Sequence, residues 1–518
     1  MHSAAAQADL GLGKAEGASR RRVIAGEKRA FIAGRGTKML GQLKRLARHS
    51  AIYGLGGIVS RLLAVLLIPL YTRYLNTGDY GKIETLVAGS VVLSIVLRAG
   101  ISSAFFRFYF DSPEPEARRL VLRTSFWFTM ASATAGLVAG LALAPQISSA
   151  LFGNPGSADL VRAASVGLWA QMNYEQMTSL FRVEERSTAF VIASLANILV
   201  TVAGTVLLVV VFDKGPLGVI VGNFTGTLVV YLALLGYRRE QLGLQFDRGL
   251  LRRMNRFGWP LVPSALALWA TNFSDRFFLV KLSSVQEVGR YSLAVRIASA
   301  MVLLLTAFRT AWPAFAYSIE DDEEARGTFG YVLTYLLFVC SWIALALSLV
   351  APWLVRLLAP TNRDFWPAAR VVPELAFAAV AFAGYIVMAI GVGRARRTQF
   401  NWVVTGVAAV LNVALNLILI PRYGMLGAAI ATAAAYALMF VGMTVNSQLV
   451  YPVPYQWRRV VTVIAAAVGL TLLGKALDVS LPVALALVVA YPLVLALLGF
   501  YLPAERSRLR QLVVRSTT

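Results

Sequence analysis

Residues 84–106 read ETLVAGSVVLSIVLRAGISSAFF. A continuous apolar run of about 20 residues matches the thickness of a bilayer's hydrocarbon core, so this stretch predicts a membrane-spanning helix. Comparable runs place further spans near 51–72, 124–145, 160–181, 188–212, 216–236, 259–281, 289–313, 329–350, 367–391, 399–420, 424–446, 460–476 and 480–501. Over all 518 residues, 58% are hydrophobic and 14% charged, and the mean hydropathy is +0.66. Soluble domains have about 45–50% apolar and about 25% charged residues. An ordinary soluble enzyme is therefore excluded, and the expected fold is an all-α polytopic membrane protein of about 14 transmembrane helices.

The formal charge of +23 is carried by short segments between these spans, which makes it a topology signal rather than a nucleic-acid footprint. With the N-terminus inside, about 34 Lys and Arg fall on the inner side and about 11 on the outer, so both termini are expected in the cytoplasm. Residues 1–35 read as a flexible basic tail without a cleavable signal. Residues 36–50 interleave Leu40, Leu43 and Leu46 with Lys44, Arg45 and Arg48, the pattern of an interfacial helix on anionic lipids. The acidic run Glu320 to Glu324 reads as a solvated loop. Cys340 is the only cysteine, and His2 and His49 are the only histidines, so neither a disulfide nor a thiolate or histidine metal site is expected. No GxxxxGK[ST] loop is present, which argues against an ATP-driven pump within the chain.

An internal repeat organises the chain. Setting Gly81 on Gly289 places Arg73 on Lys281 and Asp79 on Glu287 at one spacing of 208 residues, and Leu217-Gly218 falls on Leu426-Gly427 at 209. This predicts a parallel duplication of six helices: an N-lobe over 51–238, a cytoplasmic linker over 239–258 and a C-lobe over 259–447. Two more helices (448–503) and a cytoplasmic tail (504–518) follow. Within the spans stand Arg61, Arg98, Arg276 and Arg296. Each costs roughly 2.5–3.5 kcal/mol at the bilayer centre unless it faces water or a counter-charge. All four lie in the first two helices of a lobe, so a pseudo-two-fold axis would gather them into one anion-selective cavity, and guanidinium suits phosphate. The alternative is that each lies nearer an interface and snorkels. Arg107 and Lys281 sit at span ends, as cavity mouths or as snorkelling anchors. Asp275, Glu175 and Glu374 are intramembrane acids that either neutralise an arginine or couple transport to H+ or Na+. Asp275 and Arg276 point about 100° apart on a helix, so Asp275 is expected to partner another helix. Pro69, Pro260, Pro263, Pro313 and Pro373 allow kinks. The run Phe105, Phe106, Phe108, Tyr109 and Phe110 reads as an interfacial aromatic belt.

The segment Gly57, Ser60-Arg61, Ile68 to Leu75 and Gly78-Asp79-Tyr80-Gly81 resembles the opening of polysaccharide-export flippases, and Gly100 to Tyr109 resembles the end of their second helix. Asn412, Asn416, Pro421, Tyr423-Gly424 and Leu426 to Ala429 are similar to that family's passage from helix 11 to helix 12. This is the Wzx-type, O-antigen branch of the MOP (MATE-like) exporter superfamily, and the resemblance covers roughly residues 45 to 450. It implies two six-helix lobes around a V-shaped cavity and alternating access without enzymatic chemistry. It also implies a bacterial inner-membrane location and a cargo of undecaprenyl-diphosphate-linked oligosaccharide, moved from the cytoplasmic to the periplasmic leaflet for O-antigen, capsule or exopolysaccharide biosynthesis. A polysaccharide polymerase and a chain-length regulator are the protein partners expected. Arg61 and Arg98 lie in stretches matching the motif, whereas Arg276 and Arg296 are placed by helix number alone. A cation-coupled drug antiporter and a lipid II flippase would share the fold. The antiporter would want an acidic cavity, but arginine outnumbers acid within these spans. A membrane glycosyltransferase would need a sizeable catalytic loop, and the internal loops reach only about 20 residues.

Overall fold

Twenty apolar residues in lipid satisfy their backbone groups only as a helix, and every regular element found is helical. The computed structural model describes residues 67–395, 397 and 400–503. The basic tail, the interfacial segment 36–50, the first span up to residue 66 and the tail from 504 lie outside the described residues.

In chain order the N-lobe helices are α1 (Ile68–Tyr74), α2 (Thr77–Arg98), α3 (Ile101–Tyr109), α4 (Pro115–Ala142), α5 (Ala144–Phe152), α6 (Ala158–Val183), α7 (Ser187–Val206) and α8 (Gly215–Tyr237). The linker forms α9 (Arg239–Leu242) and α10 (Arg248–Gly258). The C-lobe follows with α11 (Val262–Leu282), α12 (Val285–Ala298), α13 (Ala300–Ser318), α14 (Asp322–Leu358), α15 (Val372–Arg394), α16 (Asn401–Tyr423) and α17 (Met425–Val450). The chain closes with α18 (Trp457–Ala476) and α19 (Leu481–Leu497). Among the described residues, nine helices are long and apolar enough to cross a bilayer; α12 and Ala300–Arg309 of α13, bent by 48°, make a tenth if they form one span. Each predicted span after the first falls on helix, but 84–106 is divided between α2 and α3 and 289–313 between α12 and α13. However, α6 and α11 fall short of that apolarity and α19 of that length, so the expected fourteen is not reached by composition alone.

The duplication shows at the starts of α2 and α12. Asn76 caps α2 by accepting from the Asp79 N–H at 2.7 Å, and 208 residues on, Ser284 caps α12 by accepting from the Glu287 N–H. Both are short polar caps with an acid in the first turn, where the helix dipole favours negative charge. The two helices cross at Gly81 and Gly289. A Cβ on Gly81 would lie 1.9 Å from the Val285 carbonyl oxygen, and one on Gly289 would lie 2.1 Å from that of Thr77. The contacts are reciprocal, so the pseudo-two-fold axis passes between these glycines.

Three expectations need correction. The span drawn over 84–106 is two helices, broken at Ala99 (φ 47) and Gly100 (φ 77). The break exists because Gly258, the last residue of α10, seats there: a Cβ on Gly100 would lie 2.1 Å from the Gly258 carbonyl oxygen. Gly100→Ala is therefore expected to cost about 1–3 kcal/mol from its backbone conformation alone, with the clash added, measured as a fall in unfolding temperature. The acidic run is not a loop. Asp321 caps α14, and Asp322, Glu323 and Glu324 form its first turn, which suits the dipole. Finally, Phe105 is fully buried in the N-lobe core, unlike a belt residue, whereas Phe110 is exposed.

The last two helices dock on α14. Trp342 donates to the Val488 carbonyl at 2.7 Å, Tyr491 donates to that of Val463 at 2.9 Å, and Phe338 stacks on Tyr491. They lie outside the duplicated unit.

Candidate functional site

The lobes meet along α2, α11 and α12. Thr72 donates to the Leu358 carbonyl at 2.5 Å, and Asn362 donates to that of Leu75 at 3.2 Å. Tyr80 packs edge-on against Phe365. Lys281, expected at a cavity mouth, instead reaches across the seam to the Ala150 carbonyl, in the last turn of α5. These contacts seal the end of the bundle that holds the α1–α2 and α11–α12 turns.

Just inside this seal lies an ionic cluster shared by both lobes. Glu84 of α2 pairs with Arg296 of α12 at 2.5 Å, and the Arg296 guanidinium lies over the Tyr80 ring. On α11, Arg276 pairs with its neighbour Asp275 at 2.8 Å, and the other Asp275 oxygen accepts from the Tyr291 hydroxyl of α12 at 2.5 Å. The expectation for Asp275 is thus half corrected. It does reach another helix, but the Arg276 chain is long enough to fold back onto it as well, also donating to the Asn272 carbonyl at 2.8 Å. Arg276 is close enough to Glu84 and Tyr291 to interact electrostatically, so these residues form one group.

Arg98 stands elsewhere. It ends α2 and pairs with Glu175 of α6 at 2.7 Å, and Glu175 also accepts from Gln171 at 3.0 Å. The buried Nε of Arg98 has no hydrogen-bond partner among the described residues. Fourteen residues of helix separate Glu84 from Arg98, about 21 Å along the axis. The arginines therefore form two stations at different depths of the seam rather than one knot. Arg61 lies outside the described residues. Arg107 pairs at the surface with Asp111, just beyond the end of its helix, at 3.3 Å and joins neither station. Glu374 pairs with Lys475 at 3.5 Å near the docked α18 and also lies apart.

Arg98, Arg276 and Arg296 thus each have a counter-charge, which removes most of their insertion cost. Accessibility distinguishes them. The Arg296 side chain is 30% exposed and Arg98 17%, with Glu175 at 40%, but Arg276 and Asp275 are at 5% and 4%. The Arg98 and Arg296 side chains are therefore partly accessible, whereas Arg276 and Asp275 are enclosed. Sequence reading missed Glu84. It stood at the edge of a span drawn too late, and the Asn76–Asp79 cap signal would have moved it nearly two turns inside the helix. Asn412 and Asn416, both buried, bond to each other at 3.1 Å on α16.

A description of polysaccharide biosynthesis proteins matches residues 70–362, more than half of the chain. No curated protein matches. Among solved structures, the lipid II flippase MurJ in an inward closed conformation is similar with a TM-score of 0.71 at 12% identity, over 87% of this chain and 99% of that one. An inward-facing MATE-family multidrug resistance transporter of the MOP superfamily gives 0.64 at 15%, over 75% and 95%. A MOP-superfamily transporter from Pyrococcus furiosus gives 0.55 at 13%, over 79% and 96%. This chain is a multi-pass membrane protein that belongs to the polysaccharide biosynthesis protein family, built on the fold of MurJ and the MATE transporters of the MOP superfamily.

Proposed function

We propose that the protein is a flippase for an undecaprenyl-diphosphate-linked oligosaccharide, working by alternating access from the cytoplasmic to the periplasmic leaflet of the bacterial inner membrane. The observation that carries this reading is the Glu84–Arg296 pair, an ion pair across the lobes whose arginine remains reachable. A diphosphate that takes Arg296 from Glu84 removes one bond holding the lobes together, so cargo binding and opening of the seal become one event. Arg98, with an unpartnered N–H and an exposed carboxylate partner, supplies the second phosphate station, about 21 Å away on α2. Two stations at different depths fit a headgroup that must travel. With both termini in the cytoplasm, the sealed end faces the periplasm. Glu175 and Glu84 then serve as exchangeable counter-ions, and coupling to H+ or Na+ would act on their charge. Polymerase and chain-length regulator would receive the product.

The test is accumulation of lipid-linked oligosaccharide on the cytoplasmic leaflet in Arg98→Ala and Arg296→Gln cells, with membrane protein level checked in parallel. Accumulation at normal protein level is expected for each, by about tenfold or more for losing one charge-assisted phosphate contact. Unchanged export in both would sink the reading and favour a transporter whose cargo carries no phosphate.

A further inference from the structure

Away from the ionic stations, a cavity of about 630 Å³ opens between the end of α14, the 3-10 segment Arg363–Val371 and the α18–α19 turn. It lies at the sealed end of the bundle, since Leu358 and Asn362 just beyond α14 are the residues bonded to Thr72 and Leu75. Arg356, Arg370 and Lys475 line it, against a single acid, Asp478. Lys475 is engaged by Glu374 behind the wall. Arg356 lies over the Trp366 ring, which Arg363 also covers. Neither Arg356 nor Arg370 has an ion-pair partner among the described residues, so two guanidiniums face the cavity uncompensated.

The floor is also electropositive. Ser480 is the N-cap of the 17-residue helix α19, yet its side chain makes no capping bond, so the first-turn N–H groups of that helix other than Pro482, which has none, lack a capping acceptor from it. Planar guanidiniums beside a helix N-terminus are a recognition set for phosphoryl oxygens. The volume falls within the range of about 300–1,000 Å³ typical of sites for small organic ligands and exceeds what a bare phosphate fills. The walls are the ends of membrane helices, with Trp353 among the lining residues, at the depth where headgroups and interfacial tryptophans sit.

We propose that this cavity binds the phosphoryl headgroup of a membrane lipid with net negative charge, at a site separate from the lobe interface and independent of the flippase reading. The phosphoryl group comes either from an anionic phospholipid or from a polyprenyl diphosphate. Native mass spectrometry of the detergent-purified full chain, titrated with phosphatidylglycerol, undecaprenyl diphosphate or phosphatidylcholine as control, counts the lipids retained. Two variants are compared with the parent: Arg356→Gln with Arg370→Gln, and Ser480→Glu. The second puts a carboxylate into the cavity at a helix N-cap, where it suits the helix and keeps the fold safe.

Both variants are expected to hold one lipid fewer, or to bind it about tenfold more weakly. If the missing lipid is phosphatidylglycerol, the site is a phospholipid site; if it is undecaprenyl diphosphate, the site takes the polyprenyl lipid. Retention of the full complement of both lipids in Ser480→Glu, or in a folded double variant, overturns the proposal, as does an equal loss of phosphatidylcholine.

Discussion

Arg276→Ala is expected to destabilise the protein by about 3–5 kcal/mol, because it leaves the carboxylate of Asp275, itself 3% exposed, buried without a counter-charge, its remaining partners being the Tyr291 hydroxyl and the backbone N–H of residue 276. The loss should appear as a lower unfolding temperature in detergent and a lower steady-state level in the membrane. Removing both charges is a different experiment. Asp275→Asn combined with Arg276→Gln replaces the ion pair by neutral groups of similar shape, so no uncompensated charge is left buried. The double variant should therefore recover most of the stability, to within about 1–2 kcal/mol of the parent. Equal instability of single and double variants would show that Arg276 acts through packing against Phe273 and Tyr291 rather than through its charge. The same pair of variants separates structure from cargo handling, since a folded double variant should still transport if Arg98 and Arg296 are the phosphate stations.

Gly289→Leu should have the second large effect. Its Cβ would stand 2.1 Å from the Thr77 carbonyl oxygen, and the obstacle is backbone inside a capped helix, which cannot swing away as a side chain could. The helices must part, at a cost above the 4–5 kcal/mol that marks exceptional substitutions, and the sealed state becomes inaccessible while each lobe keeps its own core. A disulfide between Thr72→Cys and Leu358→Cys, in a Cys340→Ala background, reports the seal directly, because Thr72 and Leu358 are hydrogen-bonded across it. Cross-linking should be efficient in the parent and fall by about tenfold or more with Gly289→Leu. Undiminished cross-linking would mean that the crossing can repack and that the glycines do not set the lobe contact.

The helices were legible because a bilayer leaves the backbone one solution, and run length alone then locates it. The register of the duplication was legible too. Gly81 with Gly289 and Asp79 with Glu287 are short-range requirements, a close crossing and a cap, and survive when the rest of the two copies has drifted. The break at Gly100 was not, since glycine is common in unbroken membrane helices and what opens this one is Gly258, far away in sequence. The heights of the arginines were not legible. Arg98 and Arg296 belong to corresponding helices, but they sit at different heights along them, and helix number says nothing of height. Their carboxylate partners lie on other helices: Glu175 was legible as an intramembrane acid but not which arginine it meets, and no local pattern marks Glu84 as a partner.

The seat of Gly258 on Gly100 also relocates the pivot of the molecule. Leu250 and Met254 of α10 are buried in the N-lobe core, so the linker is fastened to that lobe up to its last residue. The free joint shrinks to the 3-10 turn Trp259–Leu261, about 6 Å of chain. Two bodies joined so tightly can rock but not drift apart. Arg98, two residues from the seat, rides close to the fulcrum. Glu84 and Arg296 lie about 21 Å out on the lever, where a rocking of 20° would sweep them apart by about 7 Å. One arginine would then hold its place through the cycle while the other travels.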